Sequence, residues 1–295
     1  MTPNIAITID DNYVQHACVM LESLRSTNHG SINVHCIYEK LSPNNIELLK
    51  KHLYLSNLNL NFIEFKHTFH SILPLKEGDH LTLATYLRIW LPSILSDIDQ
   101  VLFLDTDMVI NDDISYLLNL DVKDFPIAAV EAIGTSNEKK LTLGIPANKK
   151  YFNAGVLKIN LKYFRINHLS EKLLKFISIN RDICEFHDQD ALNAVIKGDF
   201  YNLDCTYNMQ SAFFEQDHYR KEKLLEQAFK RPAIIHFTGA GICKPWMYRN
   251  THPFKDTYYK YLKTTPFLNY ISPDQPGKLK MMRRKIKKQI KDFFR

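Results

Sequence analysis

Glycine is scarce in this chain, with nine residues in 295. That excludes collagen-like and linker-like architectures and argues against propellers, whose repeats lean on periodic glycine. Cysteine is sparse and odd in number: Cys18, Cys36, Cys184, Cys205 and Cys243, with no two at C-x-x-C spacing. Neither a zinc cluster nor a disulfide framework is expected; buried, reduced thiols of a cytosolic protein are. No apolar run reaches the roughly 18 residues that a membrane-spanning helix needs. The opening Met1-Thr2-Pro3-Asn4 leads into no basic region followed by a long apolar stretch, so no signal peptide is expected. Internal repeats and low-complexity linkers are also missing.

Hydrophobic residues make up 45% of the chain, enough for a substantial core. The net charge of +6 is unevenly placed. Residues 278–295 hold nine Lys/Arg against one Asp, so the remainder carries −2. A near-neutral body with a basic tail suits a charged attachment at one end rather than a nucleic-acid-binding body.

Short Ile/Val/Phe-rich runs predict strands at 5–9, 32–38, 61–65, 101–104, 127–130, 155–159 and 233–237. Apolar residues at helical spacing fill 14–26, and Ser42-Pro43 opens a second helix, Ser as cap and Pro in the first turn. Strand–helix–strand alternation predicts an α/β fold with a largely parallel central sheet covered on both faces. Ligands of such sheets bind beyond the carboxyl ends of the strands, where two runs here finish in acids.

The first is 101–107, an apolar run ending in Asp105-Thr106-Asp107. In a continuing strand, residues two apart point to one side. Two such carboxylates can grip Mn²⁺ or Mg²⁺ bridging nucleotide phosphates. The plainer alternative is a solvated turn. A sharper rival is the D-x-D-x-[TV] pattern of haloacid-dehalogenase-type phosphatases, with Asp105 as nucleophile. That motif, however, normally ends the first strand of its domain. The second acidic end is Thr8-Ile9-Asp10-Asp11-Asn12-Tyr13. Its polar groups can bind a base or ribose edge, although Asp and Asn are equally the favoured helix caps, and the cap is the stronger reading on chemistry alone.

Three further clusters carry polar groups at element ends. His236, followed by Thr238-Gly239 and Lys244-Pro245-Trp246, can add a nitrogen ligand, which favours Mn²⁺ over Mg²⁺. Gly239 permits close approach of a phosphate and Lys244 supplies a point charge. Asn153, within Tyr151-Phe152-Asn153-Ala154-Gly155-Val156, and Asp188-Gln189-Asp190 suit sugar hydroxyls. For the latter, N-terminal helix capping is the competing explanation.

In this order, the motifs resemble glycosyltransferase family 8, above all its bacterial lipopolysaccharide α-galactosyltransferase and glucosyltransferase members. The likeness spans about residues 5–250 and includes Thr85-Tyr86-Leu87-Arg88. It implies a GT-A (Rossmann-like) fold, a UDP-sugar donor, a glycan or glycolipid acceptor, Mn²⁺ (with Mg²⁺ as the other option) and retention of anomeric configuration. By the same resemblance, Asp105, Asp107 and His236 ligate the metal. Thr8, Asp10 and Asn12 lie against uridine and ribose, Arg88 near the donor sugar, and Gly239 and Lys244 at the pyrophosphate. Asn153, Asp188 and Gln189 surround the hexose, the last two being the candidates nearest the reacting carbon.

This chain departs from the family pattern twice. Two residues are inserted in the usual H-x-x-G-x-x-K-P-W, between Gly239 and Lys244. Glu131 stands where close galactosyltransferases have Asp, which marks it as a candidate for donor specificity.

Residues 1–271 are expected to form the catalytic domain and 272–295 a turn-rich hinge and helical basic tail. Leu279, Met282, Ile286, Ile290 and Phe293 give that tail an apolar stripe among cations, as in a helix lying on an anionic membrane surface. The sequence reading is therefore a soluble hexosyltransferase, galactose preferred to glucose, held peripherally at the cytoplasmic face of the plasma membrane and without a nucleic-acid partner. The remaining alternatives are a phosphatase using Asp105 or a nucleotide-sugar-binding protein without turnover.

Overall fold

The computed structural model describes residues 2–66, 83–215 and 223–277. Ten strands are found among them: β1 (Asn4–Thr8), β2 (Ile32–Tyr38), β3 (Leu58–Glu64), β4 (Gln100–Leu104), β5 (Met108–Ile110), β6 (Ile127–Glu131), β7 (Phe152–Asn160), β8 (Tyr201–Asn202), β9 (Met209–Gln210) and β10 (Ile234–His236). Seven form one sheet in the order β3-β2-β1-β4-β7-β6-β8, and three form a second, β5-β10-β9.

Alternation along the strands builds the core on both faces of the large sheet. Ile5, Ile7, Leu102, Leu104, Ala128 and Val130 pack on one side. Ala6, Val101, Phe103, Ile127 and Ala129 pack on the other. The sheet is α/β and mostly parallel, with β1 parallel to both β2 and β4 and β2 parallel to β3. The exception is β7, antiparallel to β4 and β6. The chain returns from β6 to β7 without a long crossover helix across the sheet, so the strand runs back beside its predecessor.

The helix Val14–Thr27 is buried over almost its whole circumference, because it lies between the two sheets rather than on an outer face. Val14, Ala17, Leu21 and Leu24 meet the large sheet's core. Val19 meets Val109, Ile235, Phe237 and Trp246 beside the small sheet. Ser23 Oγ accepts from Ile110 N at 2.9 Å and so joins the helix to β5. The helix Pro43–His52 carries the expected Ser42 cap, which accepts from Asn45 N.

The seven expected strands are all present, but three short ones, β5, β8 and β9, were not foreseen. Two or three residues are too few for periodicity to register. Every cysteine is free; Cys18, Cys36 and Cys184 are buried, whereas Cys205 and Cys243 are half-buried. Ser272 and Asp274 are fastened to the body: Tyr248 N donates to Ser272 Oγ at 2.8 Å and Arg249 N to Asp274 Oδ2 at 3.0 Å. The expected helical tail at 278–295 lies outside the described residues. Among the described residues no helix is long and apolar enough to cross a membrane.

Candidate functional site

The two carboxylates of Asp105-Thr106-Asp107 do not sit on a continuing strand. β4 ends at Leu104 in the large sheet and β5 begins at Met108 in the small one, so both acids stand in the crossing between sheets. The crossing is held where Asp105 N donates to Gly155 O at 2.8 Å. β10 pairs antiparallel with β5, His236 opposite Met108. That register, not strand alternation, brings the imidazole beside the acids. One ligand atom from each of Asp105, Asp107 and His236 lies within 4.8 Å of the others. His236 Nε2 is 3.3 Å from Asp107 Oδ1 and 3.9 Å from Asp105 Oδ2.

A second layer fixes the imidazole. Asn208 is fully buried; its Nδ2 donates to Asn153 Oδ1 at 2.9 Å, so its Oδ1 is left to accept from His236 Nδ1, also at 2.9 Å. With the proton on Nδ1, the Nε2 lone pair faces the carboxylates, the arrangement a metal-ligating histidine needs. Asn153 Oδ1 also accepts from Gly155 N at 3.0 Å. Gly155 is required by space: a Cβ there would stand 2.1 Å from His236 Cε1 and 2.9 Å from Asp105 Oδ2. Burial alone would raise the Asp107 pKa, but Lys244 and His236 outweigh it and hold the carboxyl far below its ordinary value. A pair of hard carboxylate oxygens with one aimed imidazole fits a divalent metal ion.

Arg88 organises the neighbouring acids. Its guanidinium is buried, stacked over Phe103 at 4.4 Å, and donates from Nη2 to Asp105 Oδ1 at 3.1 Å. Its Nε is 2.7 Å from Asp188 Oδ2, and Nη1 donates to Ala154 O. Burial pushes Asp188 up to about 6, against the opposing pull of Arg88. Asp188-Gln189-Asp190 does open a helix, His187–Ile196, so the capping alternative describes its position correctly. Its side chains nevertheless reach inward. Gln189 Oε1 accepts from Ala154 N at 2.9 Å and Asn153 Nδ2 at 3.2 Å, while its Nε2 donates to Tyr151 Oη at 3.0 Å. Tyr151 Oη donates to buried Asp190 Oδ1 at 2.7 Å, and Lys139 Nζ lies 3.0 Å from Asp190 Oδ2.

The structure therefore gathers Asp105, Asp107, His236, Arg88, Asn153, Asp188, Gln189 and Lys244 around one centre. The inserted residues fold into the short turn Gly241–Cys243, with Gly239 and Gly241 at positive φ. Lys244 Nζ still reaches the site, donating to Asp107 Oδ2 and to Phe237 O. Thr8 ends β1 opposite Ile37 of β2, and Asp10 and Asn12 follow in the turn before the helix Val14–Thr27. Asp10 Oδ1 accepts from Asn12 N and Tyr13 N, both at 3.0 Å, so the capping role is realised. Asp11 instead ties Ser42 N and Asn45 Nδ2 at 2.9 and 2.8 Å. Glu131 stands apart. Its carboxylate pairs with Lys150 at 2.9 Å and lines a pocket of about 440 Å³ with Thr135, Lys140 and Asp204. Asp105, Asn153, Asp188 and Gln189 do not line that pocket.

Sequence reading missed Asn208 and Lys139 altogether, and gave no separate role to Tyr151 or Asp190. A lone Asn or Lys in a loop or short helix carries no motif; only the fold shows what it touches.

The match to known proteins is consistent along the chain. The family model described as "Glycosyl transferase family 8" covers residues 4–250. General stress protein A of Bacillus subtilis is 29% identical over 282 residues, spanning 92% of this chain and 96% of that protein. A lipopolysaccharide 1,2-glucosyltransferase of Escherichia coli K12 is 26% identical over 272 residues, 90% of this chain and 78% of the relative. The crystal structure of the galactosyltransferase LgtC with donor and acceptor sugar analogues superposes with a TM-score of 0.78 at 25% identity, covering 92% of this chain and 98% of that one. The paired sheets are thus the GT-A fold, and, with most of its length inside the family's boundaries, the chain belongs to glycosyltransferase family 8 and is a glycosyl-transferring enzyme.

Proposed function

We propose that this enzyme moves a hexose, galactose in preference to glucose, from a UDP-sugar to a lipopolysaccharide-type or other surface-glycan acceptor, with retention and with Mn²⁺ preferred to Mg²⁺. The observation that carries the reading is the convergence of Asp105, Asp107 and His236 beside Gly155, whose lack of a side chain leaves room for His236 and Asp105. The acceptor class is supported by the Escherichia coli relative, which acts on lipopolysaccharide as its name states. The phosphatase reading loses its support: Asp105 lies between Arg88 and His236, at the end of the fourth strand in chain order rather than the first. Membership of a family of glycosyl-transferring enzymes disfavours a binding protein without turnover.

Asp105, Asp107 and His236 would hold the cation, which when bound neutralises the departing diphosphate. Thr8, Asp10 and Asn12 bind uridine and ribose, and Gly239 and Lys244 the pyrophosphate. Arg88, Asn153, Asp188 and Gln189 hold the hexose. Gln189 has an amide in place of a nucleophilic carboxylate, and both its polar atoms are engaged. Asp188 is nearly fully buried against Arg88. Retention is then best served by front-face substitution, in which the acceptor oxygen bonds to the anomeric carbon as UDP departs and a β-phosphate oxygen takes the proton.

Incubation with individual UDP-sugars, with and without Mn²⁺, should release UDP only in the presence of the ion, and fastest from UDP-galactose. Galactose and glucose differ at one hydroxyl, and a donor site that bonds it leaves a buried polar group unpaired in the wrong epimer, costing about 1–3 kcal/mol. We expect kcat/KM to favour UDP-galactose. A preference for UDP-glucose of more than about tenfold, or about 1.4 kcal/mol, would reverse the assignment. Glu131→Asp tests the specificity residue: it shortens the side chain and loosens its 2.9 Å pairing with Lys150. An altered donor ratio would implicate residue 131, whereas an unchanged one would place donor discrimination among Asn153, Asp188 and Gln189.

The cytoplasmic face of the plasma membrane is the proposed location, with 278–295 as the attachment. Each cation near an anionic lipid surface adds about 1 kcal/mol. Deleting 278–295 is expected to leave UDP-sugar hydrolysis nearly unchanged and to abolish binding to anionic vesicles. Vesicle binding that survives the deletion, or that ignores salt, would count against this role.

A further inference from the structure

Asp107 serves two cationic neighbours with different oxygens. Oδ1 faces His236 Nε2 at 3.3 Å, on the side of the three-ligand cluster. Oδ2 accepts from Lys244 Nζ, which also donates to Phe237 O at 2.8 Å. The lysine side chain is 11% exposed and the aspartate 14%, so water screens this contact poorly. A divalent ion held by Asp105, Asp107 and His236 must share one carboxylate with a buried ammonium. Two positive groups on one carboxylate repel each other, and at this partial burial solvent screens the repulsion less than it would at the surface.

The loop carrying Lys244 turns sharply beside the acids. Gly239 and Gly241 adopt φ of 89° and 56°, the left-handed region open to glycine, and the turn Gly241–Cys243 between them and Lys244 contains the inserted residues. A diphosphate brings several anionic oxygens, to which an ammonium on a flexible four-carbon stem can turn.

We propose that Lys244 is an exchangeable counter-cation: it neutralises Asp107 until metal and diphosphate arrive together, and it opposes binding of the metal alone. The proposal deepens the metal-site reading above and rests on it. Its consequence is reciprocal coupling, since whatever draws Lys244 from Asp107 raises affinity for the ion, and the ion raises affinity for the nucleotide. Lys244 thus positions the order of assembly as well as contacting phosphate. The effect has an unusual sign, because removing a residue of the binding site improves binding of one of its ligands.

The test is titration of the full-length protein with Mn²⁺, followed by the paramagnetic resonance signal of the free ion, with and without UDP. Lys244→Met should bind Mn²⁺ alone about tenfold more tightly than the unsubstituted protein, a size typical of coupling between sites. UDP should then tighten Mn²⁺ binding by a smaller factor in the variant than in the unsubstituted protein. Lys244→Arg, which keeps the charge, should behave like the unsubstituted protein. Thermal melting gives a second readout that tolerates loss of stability: Mn²⁺ should raise the Tm of Lys244→Met more than that of the parent. Equal or weaker binding of Mn²⁺ alone by Lys244→Met, with the parent binding normally, would overturn the exchange and leave the metal site standing. Failure of every form to bind Mn²⁺ even with UDP would overturn both.

Discussion

Asp105→Asn and Asp107→Asn are each expected to reduce sugar transfer by at least about a thousandfold, or about 4 kcal/mol of transition-state stabilisation. Asparagine preserves the shape and removes the charge, so the loss isolates the electrostatic contribution. Neither residue belongs to a strand ladder, since both lie between β4 and β5, and the fold should survive. The two variants should still differ in stability. Asp107→Asn leaves the Lys244 ammonium facing a neutral amide. Asp105→Asn leaves Arg88 its contact with Asp188. Stranding a buried charge costs several kcal/mol, so Asp107→Asn should melt lower. Chelation of the unsubstituted enzyme should give the same loss reversibly, with activity restored by Mn²⁺. Full turnover in a metal-free preparation would refute this account of the site.

Gly155→Ala should be nearly as damaging, although it removes no functional group. The added Cβ would fall 2.1 Å from His236 Cε1, 2.8 Å from His236 Nδ1 and 2.9 Å from Asp105 Oδ2. Such distances are well inside van der Waals contact, and the backbone is held on both of its polar groups: Gly155 O accepts from Asp105 N at 2.8 Å and Gly155 N donates to Asn153 Oδ1 at 3.0 Å. The imidazole must therefore turn, breaking its bond to Asn208 and misdirecting Nε2. We expect kcat/KM to fall by more than about 10²-fold, or about 2.7 kcal/mol. Overpacking should also cost about 1–3 kcal/mol of stability. Weakened Mn²⁺ binding would locate the fault at the ligands rather than at the donor sugar. Gly30→Ala is the control: no heavy atom lies within 4 Å of a Cβ built there, and turnover should not change. Normal Mn²⁺ affinity and turnover in Gly155→Ala would show that His236 needs no such clearance.

The strands of the large sheet were legible because a strand buried on both faces needs an almost unbroken apolar run, and 5–9, 101–104 and 127–130 are such runs. Boundaries were less so. β3 begins at Leu58, earlier than the run at 61–65 suggests, because Asn59 and Asn61 interrupt the apolar pattern while the backbone pairing with β2 continues through them. Asn59 Nδ2 donates to Ser31 Oγ and Asn33 Oδ1, each at 3.1 Å, and Asn61 Nδ2 lies 3.3 Å from His35 Nδ1, so both polar positions find partners on or beside β2. The small sheet was invisible apart from β10, because β5 and β9 owe their existence to the two edges of β10 rather than to any pattern of their own.

The chemistry divides along the same line. Residue types and local spacing determined the α/β class, the acids at the carboxyl ends of β1 and β4, and the identity of the candidate ligands, since these depend on short-range alternation and side-chain chemistry. Tertiary structure alone decided how they meet. It placed Asp105 and Asp107 in a crossing between sheets, set His236 against them through the β5–β10 register, and carried Lys244 back to Asp107 across 137 positions. It also recruited Asn208 to set the imidazole proton and made Gly155 obligatory. Spacing in a sequence encodes which side chains share a face of one element. A site made where several elements converge depends on how those elements pack, and no local pattern carries that distance.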